Sequence, residues 1–366
     1  MSDETGDATP AAAETEPDTE TRFGTGLLDR LMNAGDRELP TVLLMIVGVL
    51  AFPYVFNTFL DGYTQLATLM LIWGIFAIGF NILLGYTGML SFGHALFWGG
   101  SAYAAGIFSA SISSQPLLVI LAGTIFAVAL SWAVGFLSIR RGGIYFAILT
   151  LTFGQMAFYL AASPLAFLTN GENGFTEVSI GPLLGLIDLH GGTPFPLSLL
   201  VDDMLYVFVA AVTVVVVALA NRILKSPYGL VFRAIRENER RAEFVGLNVR
   251  RYKLMAFIIS AAFAGIAGSL FAIEGSYVAL NTLYWTESGA IVIIAVLGGV
   301  GSLVGPLFGA GLYLYIENIV SGFETLGPFW HLILGLVFVT AVTVFPDGIW
   351  GGIEYLRDRI TGGDDS

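Results

Sequence analysis

The chain alternates between long apolar runs and mostly short polar breaks. Ten runs read as membrane spans: 41–59, 64–84, 92–110, 116–138, 143–162, 203–223, 253–274, 287–300, 303–321 and 328–346. A helix crosses the hydrocarbon layer with about 20 apolar residues. The run at 287–300 is short, and the one at 92–110 follows a glycine-rich break. Two connections are too long for plain turns: 163–202, which carries Thr169-Asn170-Gly171-Glu172-Asn173-Gly174 and several prolines, and 222–253. The other links are short, which predicts antiparallel neighbours.

Charge orients this pattern. Nine of the 16 Lys and Arg residues lie between 222 and 253: Arg222, Lys225, Arg233, Arg236, Arg240, Arg241, Arg250, Arg251 and Lys253. Arg22, Arg30 and Arg37 precede the first run, Arg140 and Arg141 follow the fourth, and Arg357 and Arg359 follow the tenth. With both termini cytoplasmic, every basic residue falls on the cytoplasmic side, as the positive-inside rule requires. The breaks at 60–63, 111–115, 163–202, 275–286 and 322–327 hold none. Gaining or losing one span would destroy that parity.

Composition agrees with spans rather than with a soluble globule. Hydrophobic residues make up 56% of the chain, only 12% are charged, and the mean hydropathy is +0.79. A soluble domain carries roughly 25% charge. There is no cysteine, which excludes thiolate metal sites, disulfides and cysteine nucleophiles. His94, His190 and His331 are far apart in sequence and form no metal-binding spacing. Residues 1–20 hold seven acids and no base, a composition expected to be disordered; lacking an apolar core and a basic start, they do not read as a signal peptide.

The basic loop predicts a short amphipathic helix. Ser226 reads as its N-cap, Pro227 as its first residue and Gly246 as the residue just past its end. Arg233 with Glu237, and Glu237 with Arg241, stand four apart and can pair along one face. Leu230, Val231, Ala234 and Ile235 form a small apolar patch. A helix that only lies on lipid would have a cleaner basic face and larger apolar residues opposite. The mixed charge and defined ends favour protein docking, with Gly229, Arg233, Arg236, Glu237, Ala242, Glu243 and Gly246 as the docking residues.

Ionisable residues at membrane depth point to function. Glu317 is the clearest, with the neutral polar residues Asn81 and Gln155 as further candidates for a translocation pathway. For the last two, interhelical hydrogen bonding is the plainer reading. Glycines gather at Gly85, Gly88 and Gly93 and again at Gly298, Gly299, Gly301 and Gly305. Such clusters permit close helix packing or mark helix breaks beside a pathway. No row of intramembrane carboxylates suggests an ion-driven carrier. No paired-acid motif or histidine cluster suggests an embedded enzyme. Lys225-Ser226 follows Leu224 rather than glycine, so no Walker A loop exists and any motor is a separate subunit.

Several stretches resemble the LivM-type permease subunits of branched-chain amino-acid ABC importers. They are Asn81-Ile82-Leu83-Leu84-Gly85-Tyr86-Thr87-Gly88 through Gly93-His94-Ala95, Gly143 through Gly154, Thr169–Gly174, the loop with Gly246-Leu247-Asn248-Val249, Leu297-Gly298-Gly299-Val300-Gly301-Ser302 through Gly305-Pro306, and Phe345-Pro346-Asp347-Gly348-Ile349. The resemblance covers about 65–351 and implies an all-α polytopic membrane protein of ABC-importer permease architecture, with about ten transmembrane helices. Residues 1–40 form a tail, 41–347 the permease domain and 348–366 a cytoplasmic end. It further implies a second permease subunit, two cytoplasmic ATP-binding subunits that use the ATP, and an extracytoplasmic solute-binding protein. No cofactor belongs to this chain itself, no nucleic acid is involved, and the location is the plasma membrane. Arg240 and Arg241 depart from the EAA-type pattern common in such loops, of which Ala242 and Gly246 remain. Urea, short-chain amides and simple sugars are alternative substrates.

Overall fold

The computed structural model describes residues 52–54, 63–140, 142–189, 191–194, 198, 201, 203–323, 329–344, 348 and 351–352, all within one unit, Gly48–Ser366. The expected first span at 41–59 lies outside the described residues except for its helical stretch 52–54. The acidic tail, Arg141, His190, Asp202 and most of the Phe345–Ile349 motif also lie outside them.

The other nine runs are helices. They are α1 (Thr64–Thr87), α2 (Ala95–Ser111), α3 (Pro116–Ser138), α4 (Ile144–Ala162), α6 (Met204–Lys225), α9 (Val249–Gly275), α10 (Trp285–Gly298), α11 (Gly305–Ser321) and α12 (Trp330–Val344). Between them lie the short helices α5 (Ala166–Thr169), α7 (Pro227–Glu237) and α8 (Glu239–Phe244). Among the described residues, α1, α3, α4, α6 and α9 are long and apolar enough to cross a membrane. The short α10 is preceded by a 3-10 turn, Leu280–Leu283, which extends its reach.

Helix α1 is the axis of the bundle. Nearly all of it is buried, from Leu66 to Thr87, and it packs against α9, α11, α6 and α10. Around Trp73, Phe76, Phe80, His94, Phe97, Trp98 and Phe257 the rings interlock, with Phe76 and Trp98 stacked at 4.9 Å. Helix α3 shows how small residues set the packing. Its buried positions Val119, Gly123, Ala127, Ser131, Val134 and Ser138 form one stripe, and its other side exposes Leu121, Ile125, Trp132 and Phe136. A Cβ at Gly123 would collide with the Ser269 hydroxyl of α9, so the two backbones meet only because that side chain is absent.

The connections sort to two ends. One end gathers the Gly85–Gly88 turn, Arg140, α7, α8, the Gly299–Val304 turn and Gly348. The other gathers Tyr63, the Thr169–Gly174 segment and the residues after α9. There Phe175 pairs with Val278 through backbone bonds of 2.8 and 2.9 Å, and the Tyr277 hydroxyl donates to the Asn173 carbonyl at 3.2 Å. These groupings match the division that charge alone imposed on the sequence.

The basic loop departs from the single helix expected. It breaks at Asn238, whose extended backbone ends α7 and whose side chain accepts from the Arg241 N–H at 2.9 Å to start α8. An asparagine that can cap a new helix competes with continuing the old one. Pro227 does open α7, but the Ser226 hydroxyl donates to the Ile223 carbonyl at 2.6 Å rather than capping α7. The loop also ends earlier than expected, because α9 begins at Val249, capped by Asn248. Gly246 takes the positive φ of +88° expected just past a helix end.

Candidate functional site

The structure brings the two glycine clusters together and seats the basic loop on them. α1 ends at Gly88, which has a φ of +71°. Four residues before Gly85, Asn81 is buried at 2% exposure and reaches across to the Gly299–Val304 turn. Its Nδ2 donates to the Ser302 carbonyl at 2.6 Å, and its Oδ1 accepts from the Gly301 N–H at 3.0 Å. Both halves of the amide are used, so Asn81 fastens α1 to the turn between α10 and α11. Gly301 has a φ of +94°, a backbone shape that glycine alone adopts freely. Within that turn a Cβ at Gly298 would strike the Gly305 carbonyl, and Gly348 lies against Gly299.

Helix α7 docks on this junction. Arg236 donates through Nη1 to the Gly85 carbonyl, and its guanidinium lies beside Gly301. Arg233 lies over the ring of Tyr86, with Cζ 5.4 Å from the centroid. A guanidinium at a helix C-terminus meets unsatisfied carbonyls and the negative end of the helix dipole, which explains why both arginines turn toward α1. The expected Arg233–Glu237 and Glu237–Arg241 pairs do not form. The one ion pair among the described residues joins Lys253 to Glu239 at 2.6 Å.

The apolar face of the loop also differs from expectation. Phe232 is fully buried, while Ile235, Ala242 and Val249 form a small core with Val231, Leu247 and Tyr252 packed on it. Leu230 and Ala234, expected in the patch, are exposed. Gly229 lets α7 fold back on α6, because a Cβ there would strike the Leu224 carbonyl. Ala242 therefore belongs to the loop's own core. Facing outward are Leu230, Phe244 and Val245, at 65%, 89% and 73% exposure, with Glu237 and Glu243.

The three pathway candidates do not meet. Asn81 sits at the basic end, and the helical rise puts it roughly 25 Å along α1 from Thr64. Glu317 lies toward the other end, where its neighbour Asn318 bonds to the Tyr63 hydroxyl at 3.1 Å. Near Glu317 the structure places Glu287, at the start of α10, and Tyr313, one turn back on α11, all within electrostatic range of one another. Glu287 had no sequence signal beyond standing at a span end. Gln155 lies on the outer helix α4, and its Nε2 has no hydrogen-bond partner among the described residues. Also at this end, Glu274 accepts from the Gln65 amide at 2.8 Å, and Asp203 caps α6 by accepting from the Leu205 N–H.

His94 has a structural place. It is fully buried, and its Nε2 stands 2.7 Å from the Ser260 hydroxyl, which itself donates to the Gly79 carbonyl. Ser260 must then accept from His94, which puts the ring proton on Nε2. Gly93, beside it, touches the Thr150 backbone closely enough that a Cβ would collide with that carbonyl. Among the described residues no three His, Asp or Glu side chains converge as a metal site.

Residues 62–342 match the family described as branched-chain amino acid transport system / permease component. The chain belongs to that family. This permease is 30% identical to the high-affinity branched-chain amino acid transport system permease protein LivM of Escherichia coli (strain K12), over 86% of this chain and 75% of that protein. It is 29% identical to LivM of Salmonella typhimurium, over 84% of this chain and 74% of that protein. To LivH of the same bacterium it is 26% identical, over 83% and 97% respectively. The permease is thus an all-α, multi-pass integral membrane protein related to two distinct subunit types. The matched region begins beside Tyr63 and contains every contact of the α1–α7–Gly301 junction except that of Gly348.

Proposed function

We propose that this permease is the membrane-spanning subunit of an ATP-driven importer of leucine, isoleucine, valine or similar amino acids in the plasma membrane. Its basic end faces the cytoplasm. There α7 and α8 receive one of two ATP-binding subunits, which supply the motor this chain lacks. A second permease subunit stands beside it, and a solute-binding protein delivers substrate at the opposite end. The observation that carries the reading is the double contact of the loop: Arg233 and Arg236 grip the end of α1, while Leu230, Phe244 and Val245 remain outside. Movement of a bound ATPase is thereby passed to two glycine turns at the mouth of the bundle.

The substrate reading rests on family membership and on the names of the relatives. Glu317, Glu287 and Tyr313, gathered at the end opposite the loop, offer polar contacts for an amino acid passing between two permease subunits. Co-purification from native membranes tests the assembly: two ATPases and a second permease are expected with this chain. Uptake by the single reconstituted chain under an ion gradient would overturn the assignment in favour of a secondary carrier. Competition of leucine uptake by isoleucine and valine, and not by urea or ribose, is the expected specificity.

A further inference from the structure

Apart from the junction on α1, a second group of basic residues converges at the end of α3. A cavity of about 410 Å³ is lined by Ile139, Arg140, Gly142, Glu239, Glu243, Arg250 and Lys253. Arg140 follows α3, whereas Arg250 comes from the first turn of α9, over a hundred residues later. Both guanidiniums lie over one ring, that of Phe136, with Cζ at 4.9 and 5.4 Å from its centroid. Arg250 also stands at the positive end of the α9 dipole, an unfavourable place for a cation unless an anion shares it. Lys253 is already paired with Glu239, so among the described lining residues the two arginines supply the uncompensated charge, opposed only by Glu243.

This charged cavity meets an exposed apolar face of α3. Trp132 stacks on Phe136 at 6.1 Å, and Trp132, Phe136 and Leu137 are exposed at 59%, 42% and 54%. Beside the cavity the backbone is bare, since a Cβ at Gly142 or Gly143 would meet nothing within 4 Å. An aromatic pair at the membrane boundary, leading from an apolar helix face into a cationic pocket, suits one molecule with an anionic head and an acyl tail.

We propose that this cavity binds an anionic phospholipid. The phosphate sits between Arg140 and Arg250, an acyl chain runs along Phe136 and Trp132, and Glu243 accepts hydrogen bonds from hydroxyls of a glycerol headgroup. A choline headgroup would bring its own cation against the guanidiniums and offer Glu243 no hydroxyl.

Binding is tested on the full-length permease, purified with whatever subunits accompany it, by native mass spectrometry and thermal shift in mild detergent. The probes are phosphatidylglycerol, phosphatidylcholine and inorganic phosphate. Phosphatidylglycerol is expected to be retained and to stabilise the protein more than phosphatidylcholine. Arg140→Gln and Arg250→Gln should each weaken retention about fivefold. Phe136→Leu, which keeps both charges, should also weaken it. Arg222→Gln, at the same end but outside the cavity, should not. Equal loss in Arg222→Gln would reduce the effect to general surface charge and overturn the site. Equal stabilisation by inorganic phosphate would overturn the lipid in favour of a free anion. Loss of a co-purifying subunit from the double arginine variant, with lipid retention intact, would make the cavity a protein interface instead.

Discussion

Arg236 of the loop helix donates its guanidinium proton to the backbone carbonyl of Gly85, 151 residues earlier, at the end of the central helix. Through that bond a surface loop is attached to the most buried element of the bundle. If the loop carries the force of an ATPase, this bond transmits it. Arg236→Gln is expected to leave assembly intact while lowering uptake and substrate-stimulated ATP hydrolysis together, by about tenfold. That corresponds to loss of one charge-assisted hydrogen bond, about 1.5 kcal/mol or more. Wild-type levels of both activities would remove Arg236 from the transmission path.

The outer face of the loop gives a complementary test. Phe244 and Leu230 touch little of this chain, so Phe244→Ser and Leu230→Ser should leave its thermal stability within about 0.5 kcal/mol of the parent. Both should reduce recovery of the ATPase subunits on co-purification, because exposed apolar anchors commonly carry interface energy. Full recovery would place the docking surface elsewhere.

Two glycines in contact should respond oppositely to alanine. At Gly93 a Cβ runs into the Thr150 carbonyl, part of a helix backbone that cannot step aside. At Gly154 the nearest atom is the Gly93 Cα at 3.5 Å, an ordinary contact. Gly93→Ala is expected to abolish accumulation of folded protein, or to cost about 3 kcal/mol. Gly154→Ala should be near neutral. Fluorescence-detected size-exclusion chromatography during heating distinguishes them, and equal behaviour would mean that the α2–α4 contact is looser than the structure shows.

Glu317 and Glu287 should act as a unit. If they meet the ammonium group of a passing amino acid, Glu317→Gln and Glu287→Gln each lower uptake, and the double variant loses less than the product of the two single losses. Assembly and basal ATP hydrolysis should stay unchanged. Wild-type uptake and substrate preference in Glu317→Gln would take that residue out of the pathway.

Much of this fold was legible in the chain. Nine apolar runs became helices within a few residues of their expected ends, because a membrane helix satisfies its own backbone and needs little tertiary context. The sorting of Arg140 and the 222–253 loop to one end followed from charge. The break at Asn238 was also open to a sequence reading, since Asn-Glu-Arg-Arg carries a capping residue, but the flanking helix formers masked it. No periodicity could pair Asn81 with Gly301 or Arg236 with Gly85, whose separations are 220 and 151 residues.

The sequence by itself determined the helices, the sorting of their connections to two ends by charge, and the family. Each rests on local apolar length, on where cations stop, or on short motifs read in order. Only the tertiary structure decided what the marked residues touch. Asn81 turned out to be a fastener, because both ends of its amide meet backbone across the bundle. Arg233 and Arg236 stay exposed yet touch the Tyr86 ring and the Gly85 carbonyl at the end of α1. The basic loop therefore divides its charges: some grip the central helix, and Arg250 joins Arg140 over Phe136. That division depends on which helix ends lie side by side, a property of packing that no single segment contains.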